Sequence, residues 1–414
     1  MKIVVAHPFQ QHSFKTAAAV KDSRCLYKYI TTVYLKKGTW TYCLSKIFSG
    51  DNLSRICGRR TELLEDNEVK TISEWANLLL LLLQRIDKSK KIYNWWYKCT
   101  LSIFNRKLFQ YIKKNNIDAV IVYDTLASQL IERIKREKLS CKVILDMSAP
   151  NANYMNYIFS EEKKNCNLKF FGNVKKVDQE YHQYKCDAAM IEIKNADAFL
   201  VASDFTSKSL KWEGVSDDRI YKCIYGVYSP QRENYINNGN TIKCCFVGKV
   251  SMEKGAHHLF NVINKLKRTD MEFHFFGSYD QNAEYYLKYK STCKFHGHIP
   301  HSQMLSEMKK MDIIIFPSLA DGFGLSVTEG LLSNCIAICS TNAGVSELII
   351  DGVNGYKYFY DEEDTLLKLL ENLSFKELRN MQSNAPESIS KYTWNSYFQS
   401  IKRMIEKLEE GNGL

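Results

Sequence analysis

The sequence predicts an α/β protein of two Rossmann-like domains. Three observations carry this. The chain has 414 residues, too many for one ordinary hydrophobic core. Short apolar runs alternate with amphipathic helical stretches, the pattern of parallel strands covered on both faces. The alternation stops near residue 228 and restarts near 241. Between lies SPQRENYINNGN (229–240), polar, with a Pro, a Gly and no apolar period, which reads as a linker.

Taken in order, the first half (1–228) offers strand-like runs at Lys2–Ala6, Ala119–Tyr123, Lys142–Leu145 and Ala198–Ala202. Residues from about 35 to 115 break this rhythm and read as an irregular insert. The second half (241–393) offers Lys243–Val247, Glu272–Phe276, Ile313–Phe316 and Cys335–Cys339, with helices such as Ala256–Lys267 and Ser302–Met311 between them. The end of the chain (394–414) carries an amphipathic helix. Ser13 and Ser302 stand where helix N-caps are expected. MKIVVAHPF is broken by His7 and Pro8 too soon for a leader and reads as a first strand.

Apolar content of 45% and charged content of 25% are those of a globular protein. No apolar run reaches the length of a membrane span. Thirteen cysteines, odd in number and without a Cys-x-x-Cys pair, argue for free thiols in a reducing compartment. The net charge of +11 favours anionic partners without choosing among them. Residues 85–115 hold nine basic side chains (Arg85, Lys88, Lys90, Lys91, Lys98, Arg106, Lys107, Lys113, Lys114) against one acid, Asp87. Tyr93, Trp95, Trp96, Tyr97, Ile103 and Phe104 are interleaved. Lysines with tryptophans suit an anionic membrane surface; a helix with its aromatics in the core explains the same pattern.

The chemistry concentrates at strand ends. DGFGLSVTE (321–329) leaves the run Ile313–Phe316, turns on Gly322 and Gly324, and enters a helix. In an open parallel sheet ligands bind at such ends. The amides near Gly324 and Ser326 can meet an anion, and Asp321 and Glu329 can bracket one ligand's hydroxyls. Two solvated acids on a glycine turn would look the same. FVGKVSMEKG (246–255) places Lys249 and Lys254 after another strand, behind the tight turn at Gly248. Two cations there fit a diphosphate, or form an ordinary basic loop. MEFHFFG ends a strand at Gly277. KFHGHIPH repeats the device at Gly297, where the backbone at His296–Gly297 can meet a nucleobase edge and the histidines can equally be idle.

Together these four loops resemble the second domain of the GT-B glycosyltransferases, the retaining family 4 group. The matching stretches are Gly248 to Gly255, His274 to Gly277, Phe295 to Ile299 and Pro317 to Glu329. The match continues through Ala343-Gly344-Val345-Ser346-Glu347 and Asp351-Gly352-Val353-Asn354-Gly355. In the first domain Ala196-Asp197-Ala198, Ser203-Asp204-Phe205 and Tyr225-Gly226-Val227 resemble the approach to the linker. Thr393-Trp394 resembles the start of a helix that crosses back. The resemblance implies two Rossmann-like domains facing a central crevice, with a nucleotide sugar on the second. It implies that Lys249 and Lys254 hold the diphosphate, Asp321 the donor sugar and Glu329 the ribose, and that the amides of Phe323, Gly324 and Leu325 meet phosphate and sugar. No cofactor or metal is expected, since two lysines supply the charge a divalent ion would bring. A glycan or polyprenyl-linked acceptor, surface-polysaccharide synthesis and a cytoplasmic location, peripheral on the inner face of the plasma membrane, are the further expectations.

The chain departs from the family at three places. Asp321 replaces a Glu, Lys249 replaces an Arg and so loses the bidentate fork, and Asn334-Cys335-Ile336-Ala337 replaces Gly-x-Pro-Val, where altered packing is expected. In the first domain, LDMSAP places Asp146 or Ser148 where relatives carry a catalytic-side histidine, and Asp146 is the catalytic candidate. His7, His12 and Lys15 are acceptor-contact candidates. Glu161, Glu162 and Glu192 are either functional acids or a solvated helix face. Two other classes compete: a GT-B sugar-nucleotide epimerase or inactive homologue, against which the Pro-Ser-x-x-acid-Gly-Phe-Gly run speaks, and a nucleic-acid-binding protein, for which no recognition motif is present.

Overall fold

The computed structural model describes residues 1–10, 12–166, 168–171, 176–227 and 239–410. The linker stretch 229–240 lies outside these, apart from Gly239 and Asn240. The first sheet contains β1 (Ile3–Ala6), β2 (Leu26–Thr31), β3 (Val69–Thr71), β4 (Ala119–Tyr123), β5 (Lys142–Met147), β6 (Ala198–Val201) and β7 (Ile220–Lys222). Its order is β3-β2-β1-β4-β5-β6-β7, all parallel. The second contains β8 (Ile242–Val247), β9 (Met271–Phe276), β10 (Cys293–Gly297), β11 (Ile313–Phe316), β12 (Ile336–Ser340) and β13 (Gly355–Tyr358), in the order β10-β9-β8-β11-β12-β13, also parallel.

Central strands are buried on both faces. Every residue of β1, β4, β6, β11 and β12 is buried, which is why they read as unbroken apolar runs. Each sheet reverses its order once, at β1/β4 and at β8/β11. The loops after those strands therefore flank an open crevice.

The helix Trp394–Glu410 returns to the first domain. Tyr397, Ile401, Met404 and Ile405 are buried, and the Tyr397 hydroxyl bonds Thr16 Oγ1 at 2.9 Å on the helix Ser13–Asp22. The two domains also meet directly. Ser203 Oγ donates to the Gly322 carbonyl at 2.7 Å, and Glu347 accepts from the Asp204 amide at 3.0 Å and from Lys222 at 3.2 Å.

The stretch from 35 to 115 is ordered rather than irregular. It supplies the edge strand β3 and the antiparallel helices Glu74–Ile86 and Lys91–Asn115. Neither expected serine cap forms. The helices begin at Ser13 and His301 without a side-chain cap, and Ser13 Oγ instead bonds Tyr29 Oη at 2.8 Å. Asn334 adopts φ +62°, the left-handed conformation a glycine would take there. Asparagine tolerates it, so the departure from the family's glycine leaves the turn intact.

Candidate active site

Four loops meet at the carboxyl ends of β8, β9, β10 and β11. Three glycines lie side by side on adjacent strands. The Gly248 amide donates to the Phe276 carbonyl at 2.8 Å, and the Gly277 amide to the Gly297 carbonyl at 2.8 Å. Their φ angles are +144°, +138° and +73° for Gly248, Gly277 and Gly297. A Cβ on Gly277 would collide with the Gly248 carbonyl, so this floor is backbone only.

Above it, Lys254 Nζ forms an ion pair with Asp321 Oδ2. Lys254 thus spans from the β8 loop to the β11 loop. The other Asp321 oxygen accepts the Phe323 amide at 3.1 Å, so that amide is turned to its own loop, unlike the expectation that it faces a ligand. The Phe323 ring is buried and packs edge-on against Tyr225 of the first domain, centroids 5.3 Å apart. Gly324, at φ +92°, precedes the helix Leu325–Leu332. The first bond of that helix runs from the Val327 amide to the Gly324 carbonyl. The amides of Gly324 and Leu325 come before it, at the positive end of the helix. Lys249 is exposed and has no ion pair among the described residues.

Glu329, one turn into that helix, accepts from or faces His301 Nε2 at 2.8 Å. His301, at the mouth of the β10 loop, was not singled out by sequence. His296 stacks on Phe276 at 4.3 Å and bonds His274 at 3.0 Å. Burial pushes both of these histidines below their usual pKa, so neither is idle in the packing sense.

The first-domain side is a closed network. His7 is buried and its Nδ1 accepts the Phe9 and Gln10 amides, which makes it a loop-shaper rather than a solvent-facing contact. Asp146 is 2% exposed. Its Oδ2 lies 3.0 Å from His12 Nε2 and accepts from Thr16 Oγ1 at 3.3 Å. Asp146 therefore reaches the crevice only through His12, which also lies 3.2 Å from the Tyr225 hydroxyl. Lys15 lies over the Trp394 ring at 5.0 Å. Of the three glutamates, Glu161 pairs with Lys164 at the surface. Glu162 and Glu192 are buried, contrary to a solvated helix face. Glu192 accepts the Thr125 and Ala127 amides at 2.6 and 2.8 Å, closing the β4 loop.

Comparison with known proteins adds to this geometry. Residues 229–388 match the family model described as Glycosyl transferases group 1. The match covers less than half of the chain. All four strand-end loops lie inside it. An uncharacterized glycosyltransferase of Methanocaldococcus jannaschii, MJ1178, is 25% identical over 223 residues, 52% of this chain and 61% of that protein. An uncharacterized 41.2 kDa protein in the cps region of Klebsiella pneumoniae is 24% identical over 195 residues, 46% of this chain and 49% of that protein. These alignments span roughly half of the curated relatives' length. Among solved structures, the lipopolysaccharide outer core galactosyltransferase WaaB superposes with a TM-score of 0.62 at 15% identity, covering 98% of this chain and 99% of that one. Anabaena HepE in complex with UDP-glucose does so with a TM-score of 0.59 at 12% identity, covering 98% and 99%. The overall fold outside the group 1 domain is therefore GT-B as well.

Proposed function

We propose that the chain is a retaining, metal-independent hexosyltransferase. It moves a sugar from a nucleotide-diphosphate donor to a glycan or lipid-linked acceptor in surface-polysaccharide synthesis. The observation that carries this is the convergence of Lys254, Asp321, the Gly324–Leu325 helix start and the Gly248–Gly277–Gly297 floor at one switch point. The bare floor lets a nucleotide approach backbone. Lys254 and Lys249 stabilise the departing diphosphate. Asp321 orients the sugar hydroxyls, and Glu329 with His301 holds the ribose. No carboxylate is needed as a nucleophile, since the acceptor attacks on the face the diphosphate leaves. The UDP-glucose bound by HepE and the cps-region setting of the Klebsiella relative favour the same reading. The first-domain loops face the acceptor, and the protein works in the cytoplasm at the inner face of the plasma membrane.

The test is a thermal-shift panel of UDP, GDP, ADP, CMP and their sugar conjugates, without added divalent ions, on the wild type and Glu329→Ala. One nucleotide diphosphate should raise Tm in the wild type and lose most of that effect in the variant. Equal shifts in both proteins, or none with any nucleotide, would remove the donor-site assignment.

A further inference from the structure

Away from the strand-end loops, side chains of the two domains converge on one buried point. Glu162 comes from the first-domain helix Ala152–Asn165. His257 and His258 open the second-domain helix Ala256–Lys265. All three are more than nine-tenths buried. Glu162 Oε1 lies 2.8 Å from His257 Nε2 and 3.4 Å from His258 Nε2. The two imidazole centroids are 4.0 Å apart. On its other side, His258 Nδ1 lies 2.9 Å from Glu363 Oε1, which also accepts from Asn261 at 2.8 Å.

Two ring nitrogens here lack a hydrogen-bond partner among the described residues. A carboxylate only accepts, so His258 Nδ1 carries the hydrogen it gives to Glu363. His258 Nε2 faces the Glu162 carboxylate oxygen 3.4 Å away. Among the described residues that nitrogen is buried without a hydrogen-bond partner, as is His257 Nδ1. A buried polar atom left without a partner is costly, and a cation among these three groups would satisfy it.

We propose that Glu162, His257 and His258 hold a divalent transition-metal ion of the zinc class, with Glu363 fixing the ring of His258. One ligand atom from each of the three residues lies within 4.8 Å of the others. Two imidazoles and a carboxylate suit zinc and its first-row neighbours; calcium and magnesium favour oxygen donors. A histidine that ligates through one nitrogen while its other N–H meets a carboxylate is the usual second contact of such sites. The ion touches neither donor nor acceptor. Its role is to clamp the first domain, through Glu162, to the helix that begins just beyond Lys254. Binding would favour the arrangement in which the three ligands meet. This inference stands apart from the transferase reading and is read without turnover.

The experiment titrates the chelator-stripped full chain with Co2+ and then displaces it with Zn2+. Expected are visible d–d bands that saturate at one equivalent, with no thiolate charge-transfer band, so that the cysteines are not the ligands. His258→Ala and Glu162→Gln should each weaken binding tenfold or more, and Glu363→Gln by tenfold to a hundredfold, as orienting partners do. The wild-type spectrum decides the matter even if a variant folds poorly. No band at one equivalent overturns the proposal, as do bands unchanged in both ligand variants. So does a chelated wild type that binds no Co2+ and is stabilised on acidification, because a proton on His258 would then fill the place assigned to the ion.

Discussion

Lys254 and Asp321 form an ion pair that joins the loop after β8 to the loop after β11, across the switch point of the second sheet. The cation proposed for the diphosphate and the carboxylate proposed for the sugar thus hold one another. A donor has to share or replace this contact, so the two residues should fail differently. Lys254→Ala should weaken nucleoside diphosphates more than monophosphates and lower kcat about a hundredfold to a thousandfold, the scale of losing one charge-stabilising group. Asp321→Asn should keep nucleotide affinity, since Lys254 is released to the phosphates, while kcat falls by a similar factor. Calorimetry with UDP and UMP, or the matching pair for another base, checks the first half. Equal loss of affinity in both variants would mean that the pair is a structural strut.

Asp146 acts through His12. Its carboxylate is 2% exposed and sits 3.0 Å from His12 Nε2, and His12 continues to Tyr225, whose ring meets Phe323. This chain of contacts links the first domain to the β11 loop. Asp146→Asn should leave the donor thermal shift unchanged and lower kcat, with an altered KM-against-kcat profile, because the carboxylate that holds the His12 ring is gone. His12→Ala should lower kcat at least as far. A variant that merely melts earlier, with an unchanged profile, would make Asp146 a packing residue.

How much of this was legible follows burial. The strands read from sequence (β1, β4, β5, β6, β8, β9, β11, β12) are central or near-central and apolar. Those not read as strands, β2 (LYKYIT), β3 (VKT), β7 (IYK) and β13 (GYKY), carry lysines and tyrosines and lie at or next to a sheet edge. An edge strand has a solvated side, so its apolar alternation is weak. The donor loops were legible because glycines and charges at strand ends have fixed spacing. The partners were not. His301 meets Glu329 from 28 positions away, and Glu162 meets His257 from 95. Pairings that distant depend on domain placement, which no local pattern encodes.

Glu192 gives a pH signature. It is fully buried, and burial pushes its carboxyl from the ordinary 4.5 up to about 8, against the opposing pull of the Thr125 and Ala127 amides. The folded chain then holds a proton between those values that the unfolded chain releases. The contribution is full below pH 4.5 and is lost as pH rises through about 8. Glu192→Gln cannot titrate, though its amide nitrogen faces a backbone N–H and lowers stability at every pH. Urea midpoints at pH 5 and pH 8.5 should fall more steeply for the wild type than for the variant. Parallel slopes would show that Glu192 is ionised throughout, with the neighbouring half-buried Asp124, also pushed up by desolvation, carrying the dependence.

Gly255 separates backbone strain from collision. It sits at φ +65°, and a Cβ there would run into the Pro317 carbonyl, within the motif that carries Asp321. Gly214, at φ +84°, has open space around it. Gly214→Ala should cost only the left-handed penalty, about 1–2 kcal/mol. Gly255→Ala should cost more and also abolish the nucleotide thermal shift, since Lys254 and Pro317 move apart. Equal urea midpoints for the two variants would show that the β8 and β11 loops do not need this contact.

The helices Glu74–Ile86 and Lys91–Asn115 present one surface that the fold leaves uncovered. Trp75, Leu82, Ile86, Ile92 and Trp95 are each at least half exposed, while Tyr97, Leu101, Phe104 and Leu108 of the second helix face the core. Tyr97 and Phe104 thus face the core as the core reading expects, while Trp95 stays exposed. All nine basic residues between 85 and 115 are exposed, with Lys88, Lys90 and Lys91 beside the apolar cluster. No helix among the described residues is long and apolar enough to cross a membrane. Rings flanked by lysines fit the headgroup layer of an anionic leaflet, where each basic residue near the surface contributes about 1 kcal/mol. The protein should co-sediment with vesicles of mixed phosphatidylglycerol and phosphatidylcholine, and not with phosphatidylcholine alone. Binding should weaken in high salt. Changing Lys88, Lys90 and Lys91 together to Glu should abolish it, and Trp75→Ala with Trp95→Ala should weaken it at unchanged salt dependence, because rings and charges contribute separately. If the wild type ignores anionic vesicles, or the triple variant binds as well as the wild type, this surface has another partner and the acceptor need not be lipid-linked.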